Sequence, residues 1–126
     1  MTGYIVFAHG SSVESANEAV RETAREMARR GGLERVVAAF LEGGEPDLHS
    51  AARALAESGA RRLIVIPYFL TLGLHLQRDL PKLIAQMRRA QPDVQIEVTA
   101  PLDGHPAMVD ALLERAQSAQ RMRCAR

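Results

Sequence analysis

Tryptophan is absent from this chain, and tyrosine and phenylalanine together supply 4% of its residues. That is poor material for the aromatic platforms on which single-stranded nucleic acids stack. Cysteine occurs once, at Cys124, which excludes a disulfide framework and a cysteine-based zinc site and points to a reducing cytoplasm. No charge of one sign dominates. The formal net charge is +1, so no global field draws in nucleic acid or an anionic membrane, and an anionic ligand must be held by local Arg or Lys. Long apolar runs are missing too. The Leu63–Leu76 run is too short for a membrane helix and contains Pro67. The opening MTGYIVFAHG lacks the basic segment and the apolar length of a signal peptide. There is no G-x-S-x-G elbow, P-loop or G-x-G-x-x-G. Ala8 rather than Arg precedes His9-Gly10, which weighs against a phosphohistidine mutase.

What is present is a 126-residue chain, 47% hydrophobic, enough for one domain with a real core. Residues 1–126 read as that one domain, with a polar, basic stretch from about 118 to 126 expected to fray. Leu63-Ile64-Val65-Ile66 has no polar alternation and reads as a central parallel strand covered on both faces. Pro67 should end it. Tyr4–Ala8 reads as a first buried strand, Leu33–Phe40 as a second, and alternating Val94–Val98 as an edge strand.

Helices fill the gaps. Ser11 with Glu14 fits a capping box, so a helix should begin near Ser12, bury Ala16, Ala19, Val20, Thr23 and Met27, and end at Gly31-Gly32. Asp47 should cap a helix burying Leu48, Ala51, Ala52 and Leu55, with Gly59 closing it. Arg78–Pro81 should open a third helix, capped by Asp79, with Leu80, Leu83, Ile84 and Met87 inward. Pro106 should begin a fourth with Val109, Leu112, Leu113 and Ala116 inward. Four βα units imply an α/β fold: a four-stranded parallel sheet, order 2-1-3-4, with helices on both faces. Its switch point falls between strands one and three.

Three metal-competent side chains follow consecutive strands onto one sheet edge: His9, Glu42 and His75. Ligands bind at that edge in open α/β sheets. Two imidazoles and a carboxylate suit a divalent first-row ion and leave positions open for substrate. A lone histidine or glutamate in a loop is more often a solvated residue, but three at consecutive strand ends outweigh that. His105 reaches the same edge from the fourth strand, either as a ligand-facing group or as a cap for the Pro106 helix. Ser11 and Ser12 are primarily caps whose helix start offers amides to an anion. Arg78 either makes a surface ion pair or grips a substrate carboxylate. His49, inside the second helix, reads as structural.

At this point the residues resemble the small single-lobe class II tetrapyrrole chelatases, the sirohydrochlorin cobaltochelatase and ferrochelatase type. The resemblance rests on A-H-G-S at 8–11, A-F-L-E with a following proline at 39–46, G-A-R-R-L-I-V-I-P-Y-F-L-T-L-G-L-H at 59–75, R-D-L-P at 78–81 and P-L-D-G-H-P at 101–106. It implies an enzyme that inserts a divalent metal, Co2+, Fe2+ or Ni2+, into sirohydrochlorin in cobalamin or siroheme biosynthesis. His9 and His75 would handle the metal and the pyrrole protons, with Glu42 completing the metal site. Beyond the substrate metal ion no cofactor is implied. Because the two-lobed relatives enclose their substrate between lobes, a homodimer is implied as well. Ser12 departs from the pattern, standing where such proteins often carry a basic residue. The competing expectation, on the same fold, is a non-catalytic metal or tetrapyrrole carrier.

Overall fold

A computed structural model describes residues 1–124. Four strands and four helices alternate: β1 (Thr2–Ala8), α1 (Glu14–Gly31), β2 (Val36–Phe40), α2 (Leu48–Glu57), β3 (Arg62–Pro67), α3 (Leu74–Ala90), β4 (Gln95–Val98) and α4 (Pro106–Cys124). All strand pairs are parallel and the order is β2-β1-β3-β4, the expected doubly wound sheet. α2 and α3 cover one face, where Leu48, Leu55, Leu80, Ile84 and Met87 pack with Ile5, Phe7, Leu63, Val65 and Ile96. α1 covers the other face, with Ala24, Val20 and Met27 against Val6, Ala8, Ala38 and Phe40.

Several local expectations hold. β3 ends at Pro67, and Asp47 caps α2 by accepting a hydrogen bond from Ser50 N at 2.8 Å. The four residues expected inward on α2 are buried. On the β4 edge, Ile96 is buried while Glu97 turns to the other face and takes a two-bond contact from Arg62 at 2.9 Å.

Others need correction. β2 starts at Val36 rather than Leu33. α1 begins at Glu14, behind Val13, without a side-chain cap. Its buried residues are Asn17 and Ala24, with Val20 and Met27 partly buried; Ala16, Ala19 and Thr23 face solvent. α3 begins at Leu74 behind Gly73, so Asp79 is not a cap and Pro81 lies inside the helix. Pro81 removes only the N–H that would bond the Gln77 carbonyl, at a cost of about 3 kcal/mol. Leu76 and Leu80, both buried on its N-terminal side, each return about 1.5–3 kcal/mol on burial, which favours the longer helix.

The largest departure is α4. Val109, Leu112 and Leu113 are 58%, 70% and 54% exposed, so this helix does not lie on the sheet as expected. The α1 face over β3 is therefore incompletely covered, and Ile64 and Ile66 are only half-buried. α4 runs to Cys124, and residues 125 and 126 of the end expected to fray lie outside the described residues. No helix among the described residues is long and apolar enough to cross a membrane.

The Asp47 cap makes a testable case. The Ser50 backbone N–H, and then its hydroxyl, hold the Asp47 carboxyl below its ordinary value. A carboxylate lowered in the folded state adds stability above its unfolded pKa and loses it as pH falls through the folded one. Asp47→Ala should therefore cost about 1 kcal/mol at pH 7. In urea unfolding the gap from wild type should close as the pH drops below about 4, near the unperturbed aspartate value.

Candidate functional site

β1 leaves the sheet at Ala8, the strand paired on both sides, and delivers His9 directly onto the carboxyl edge. The β2 ladder carries on past its own end: Leu41 N donates to Ala8 O at 2.9 Å and Glu42 N to His9 O at 3.0 Å. Adjacent residues of adjacent strands are thereby held side by side. His9 Nε2 lies 3.7 Å from Glu42 Oε1, with both side chains open to solvent at 61% and 71% exposure. His9 Nδ1 is 3.2 Å from the Gly10 carbonyl. In the tautomer that donates this bond, Nε2 turns its lone pair toward the carboxylate. A first-row divalent ion needs about 2.0–2.2 Å to each nitrogen or oxygen ligand. Two donor atoms 3.7 Å apart can both reach one such ion.

The loops that carry this pair pass very close to one another. Gly10 has φ +90°, and a Cβ there would sit 1.6 Å from the Glu42 carbonyl oxygen. Gly43 has φ +71°, and its Cβ would press on the Ser11 backbone at 2.9 Å. Only glycine satisfies both the left-handed backbone and the contact distance. Arg21, from α1, adds a tie. Its guanidinium lies 5.2 Å from the centroid of the Phe40 ring and donates to Glu45 O at 2.9 Å, while its bond to Glu14 lowers that carboxyl's pKa.

The other expected residues are distributed differently. His75 is exposed on the first turn of α3, with Arg78 one turn further along the same side of the helix. No group of three or more His, Cys, Asp or Glu able to hold a metal occurs among the described residues. The structure thus brings His9 and Glu42 together but leaves His75 out of a ready-made three-ligand site. The physical reason is the early start of α3, which carries His75 on a helix instead of on the loop leaving β3. His105 Nδ1 accepts a hydrogen bond from Ala107 N at 3.0 Å, so it caps α4. Ser11 does not offer its amide to an anion: Ser11 N donates to Asn17 Oδ1 at 2.9 Å, and its Oγ takes the Val13 N–H at 3.0 Å. Ser12 is exposed. His49 bridges to Gln86 of α3 at 3.3 Å, a structural contact. A groove of about 850 Å³ lined by Met27, Arg30 and Leu33 lies by the opposite, amino edge of the sheet, away from His9.

Sequence reasoning missed Asn17. It is 1% exposed, the one buried polar residue among those described, and it stands on the buried stripe of α1 where a periodic reading looks for an apolar side chain.

The fold is thus a doubly wound α/β domain with an imidazole–carboxylate pair on its carboxyl edge, beside the switch point. The family profile described as CbiX matches residues 3–119, and the chain belongs to that family. It is 32% identical over 119 residues to the sirohydrochlorin cobaltochelatase of Sulfolobus acidocaldarius, covering 94% of this chain and 93% of that protein. It is 30% identical over 115 residues to the chloroplastic sirohydrochlorin ferrochelatase of Arabidopsis thaliana, covering 91% of this chain but only 51% of that protein. Among solved structures, a CbiX protein assigned to cobalamin (vitamin B12) biosynthesis in Marinobacter aquaeolei VT8 superposes with a TM-score of 0.87 at 24% identity, over 97% of this chain and 99% of that one. The sirohydrochlorin chelatase SirB of Bacillus subtilis subspecies spizizenii, in complex with cobalt, superposes with a TM-score of 0.81 at 24% identity, over 93% of this chain and 50% of that one.

The loop crossing generates its own test. Gly10→Ala forces a left-handed backbone and a clash with Glu42 O, and strained backbone alone costs about 1–3 kcal/mol. Urea unfolding should show a loss of at least that size. Gly32→Ala, with φ +62° but nothing within 4 Å of its Cβ, should lose less.

Proposed function

We propose that this chain inserts a divalent metal ion into sirohydrochlorin. The observation that carries the reading is the 3.7 Å separation of His9 Nε2 and Glu42 Oε1 on the open carboxyl edge of a CbiX-family domain, where β1 and β2 end. The reaction exchanges M2+ for two pyrrole N–H protons: two metal–nitrogen bond pairs form, two N–H bonds break, and two protons leave. His9 and Glu42 hold the partly dehydrated ion, and their openness lets them release it. His75 faces the macrocycle from α3 and accepts pyrrole protons, a task suited to imidazole near neutral pH. Arg78, on the same side of α3, grips a substrate carboxylate. Co2+ is the proposed ion, because the relative that this chain spans nearly end to end is named a cobaltochelatase, whereas the named ferrochelatase is matched over half its length. The setting proposed is cytoplasmic, in keeping with a lone cysteine.

The active form proposed is a homodimer. This chain spans 50% of SirB, and a second copy is the proposed counterpart of the remaining half. The pair at the site is more than half exposed, and ligand pockets usually bury most of their ligand. α4 and the Ile64–Ile66 surface also leave apolar area for a partner to cover. Light scattering at micromolar concentration should give twice the 13.8 kDa chain mass; an active monomer would overturn the dimer.

Absorbance assays of Co2+ insertion test the reaction, with Fe2+ and Ni2+ run alongside. His9→Ala and His75→Ala should each lower kcat by about 100-fold or more, the usual worth of a positioned acid–base group. The double variant should be little worse, since residues acting as a unit are non-additive. Arg78→Ala should instead raise KM by about tenfold or somewhat more, as a charge-assisted contact is worth about 1.5–3 kcal/mol. Binding of Co2+ and sirohydrochlorin without turnover would replace this reading with that of a carrier. Near-wild-type rates in either histidine variant would remove that residue from the mechanism.

A further inference from the structure

Asn17 is buried, yet no part of the mechanism above uses it. Its side-chain amide spends every polar atom on the two loops that carry the site. Oδ1 accepts from Ser11 N at 2.9 Å. Nδ2 donates to Ser11 O at 2.8 Å and to Gly43 O at 3.0 Å, with Glu14 Oε2 further off at 3.3 Å. One amide thus closes a ring between the β1–α1 loop, two residues after His9, and the β2–α2 loop, one residue after Glu42. A primary amide is suited to this task, offering an acceptor and two donors in one plane. A carboxylate or a hydroxyl of similar size lacks the second donor. The fit is tight where the second loop passes: a Cβ on Gly44 would meet Asn17 Nδ2 at 2.9 Å, and the same two loops approach closely at Gly10–Glu42 and Gly43–Ser11.

We propose that Asn17 is a positioning residue that sets the distance between His9 and Glu42. The backbone ladder bonds from Leu41 and Glu42 align the two strand ends, but they are the last bonds of the sheet. Beyond them, among the described residues, only the Asn17 amide crosses between the loops from a buried position. Without it, Ser11 N, Ser11 O and Gly43 O lose a buried partner, and the loops part to reach water. The imidazole and carboxylate then no longer stand where one ion can reach both. The inference rests on the reading of His9 and Glu42 as the metal-holding pair.

The test is calorimetric titration of the whole protein with Co2+ alone, alongside thermal unfolding. The variants are Asn17→Ala, Asn17→Asp, His9→Ala, Glu42→Gln and a control, Ala24→Gly. Asn17→Asp keeps the acceptor for Ser11 N but faces the Ser11 and Gly43 carbonyls with no donor, so it remains informative if the alanine variant does not fold. Ala24 is buried on the same helix but touches neither loop bond, and its variant measures the effect of instability alone. Loss of an outer-shell group that orients a ligand typically weakens metal binding about 10- to 100-fold. Both Asn17 variants should show a loss in that range, while Ala24→Gly should stay within about twofold of wild type by the same measure. Asn17 variants that melt earlier yet bind Co2+ like wild type would overturn the inference, as would an equal loss in Ala24→Gly. Wild-type Co2+ binding in His9→Ala and Glu42→Gln would overturn the site reading itself, and the inference with it.

Discussion

Everything at the carboxyl edge hangs on the end of β1. That strand pairs on one side with β2 from Tyr4 to Ala8 and on the other with β3 from Thr2 to Phe7. Its last residues serve both neighbours: Phe7 O accepts from Tyr68 N at 2.7 Å, Ala8 O from Leu41 N and His9 O from Glu42 N. Because α1 after β1 and α3 after β3 lie on opposite faces of the sheet, a crevice opens between these two strands, and no other position in a 2-1-3-4 sheet has that property. The packing beneath is tight. Phe7 and Phe40 are fully buried, and Phe69 meets Phe7 edge to face at 5.8 Å. The three loops that would touch a ligand are therefore each anchored within a residue or two of a fully buried aromatic or β1 bond. Side chains there are exposed, but the backbone that carries them is held by the sheet and the core beneath.

The same geometry explains why the site is held by glycines and an amide instead of by larger groups. A pair of loops that must bring adjacent residues of adjacent strands within ion-sharing distance has to run nearly in contact. Gly10 and Gly43 permit that approach, and a buried amide satisfies the polar groups that the approach removes from water. Unpaired, each such group would cost about 1–3 kcal/mol. By contrast the ion pairs along α1, from Glu14–Arg21 to Glu26–Arg29, are exposed rows on a helix surface. Pairs of that kind add little individually, and their main consequence is to commit Arg21 to the loop it covers.

Periodicity made most of the fold legible. Uninterrupted Leu63–Ile66, the Asp47 cap and the Leu48–Leu55 stripe have one reading each, and strand alternation with helices leaves few topologies. His9 and Glu42 were legible because strand ends and topology alone bring them together. The failures have separate physical causes. A buried asparagine breaks the apolar stripe of α1, so the periodic reading rotated that helix toward Ala16 and Ala19. Pro81 and Asp79 look like a helix start, but the burial of Leu76 and Leu80 outweighs the proline. α4 carries a regular apolar spacing, and spacing records only that a helix has something to cover, not that the cover lies in the same chain. Asn17 was unreadable for a related reason: its role lies in hydrogen bonds across 26 residues of chain, which leave no local pattern.

In the metal-holding role proposed for them, the exposure of His9 and Glu42 suits transfer rather than storage. An ion sealed by three or four protein ligands is stabilised by each of them and leaves only by breaking all. A two-atom hold leaves most coordination positions to water and to the incoming pyrrole nitrogens, so each metal–water bond lost can be matched by a metal–nitrogen bond gained. A flat macrocycle must also reach the ion over a broad front, which a narrow pocket at the strand ends would block. The half-open edge of this single lobe provides that access. It also leaves the opposite side of the macrocycle in water unless something covers it, and the bare apolar side of α4 lies in the same chain. Under the proposed homodimer, a second lobe would cover both the open site and the bare side of α4.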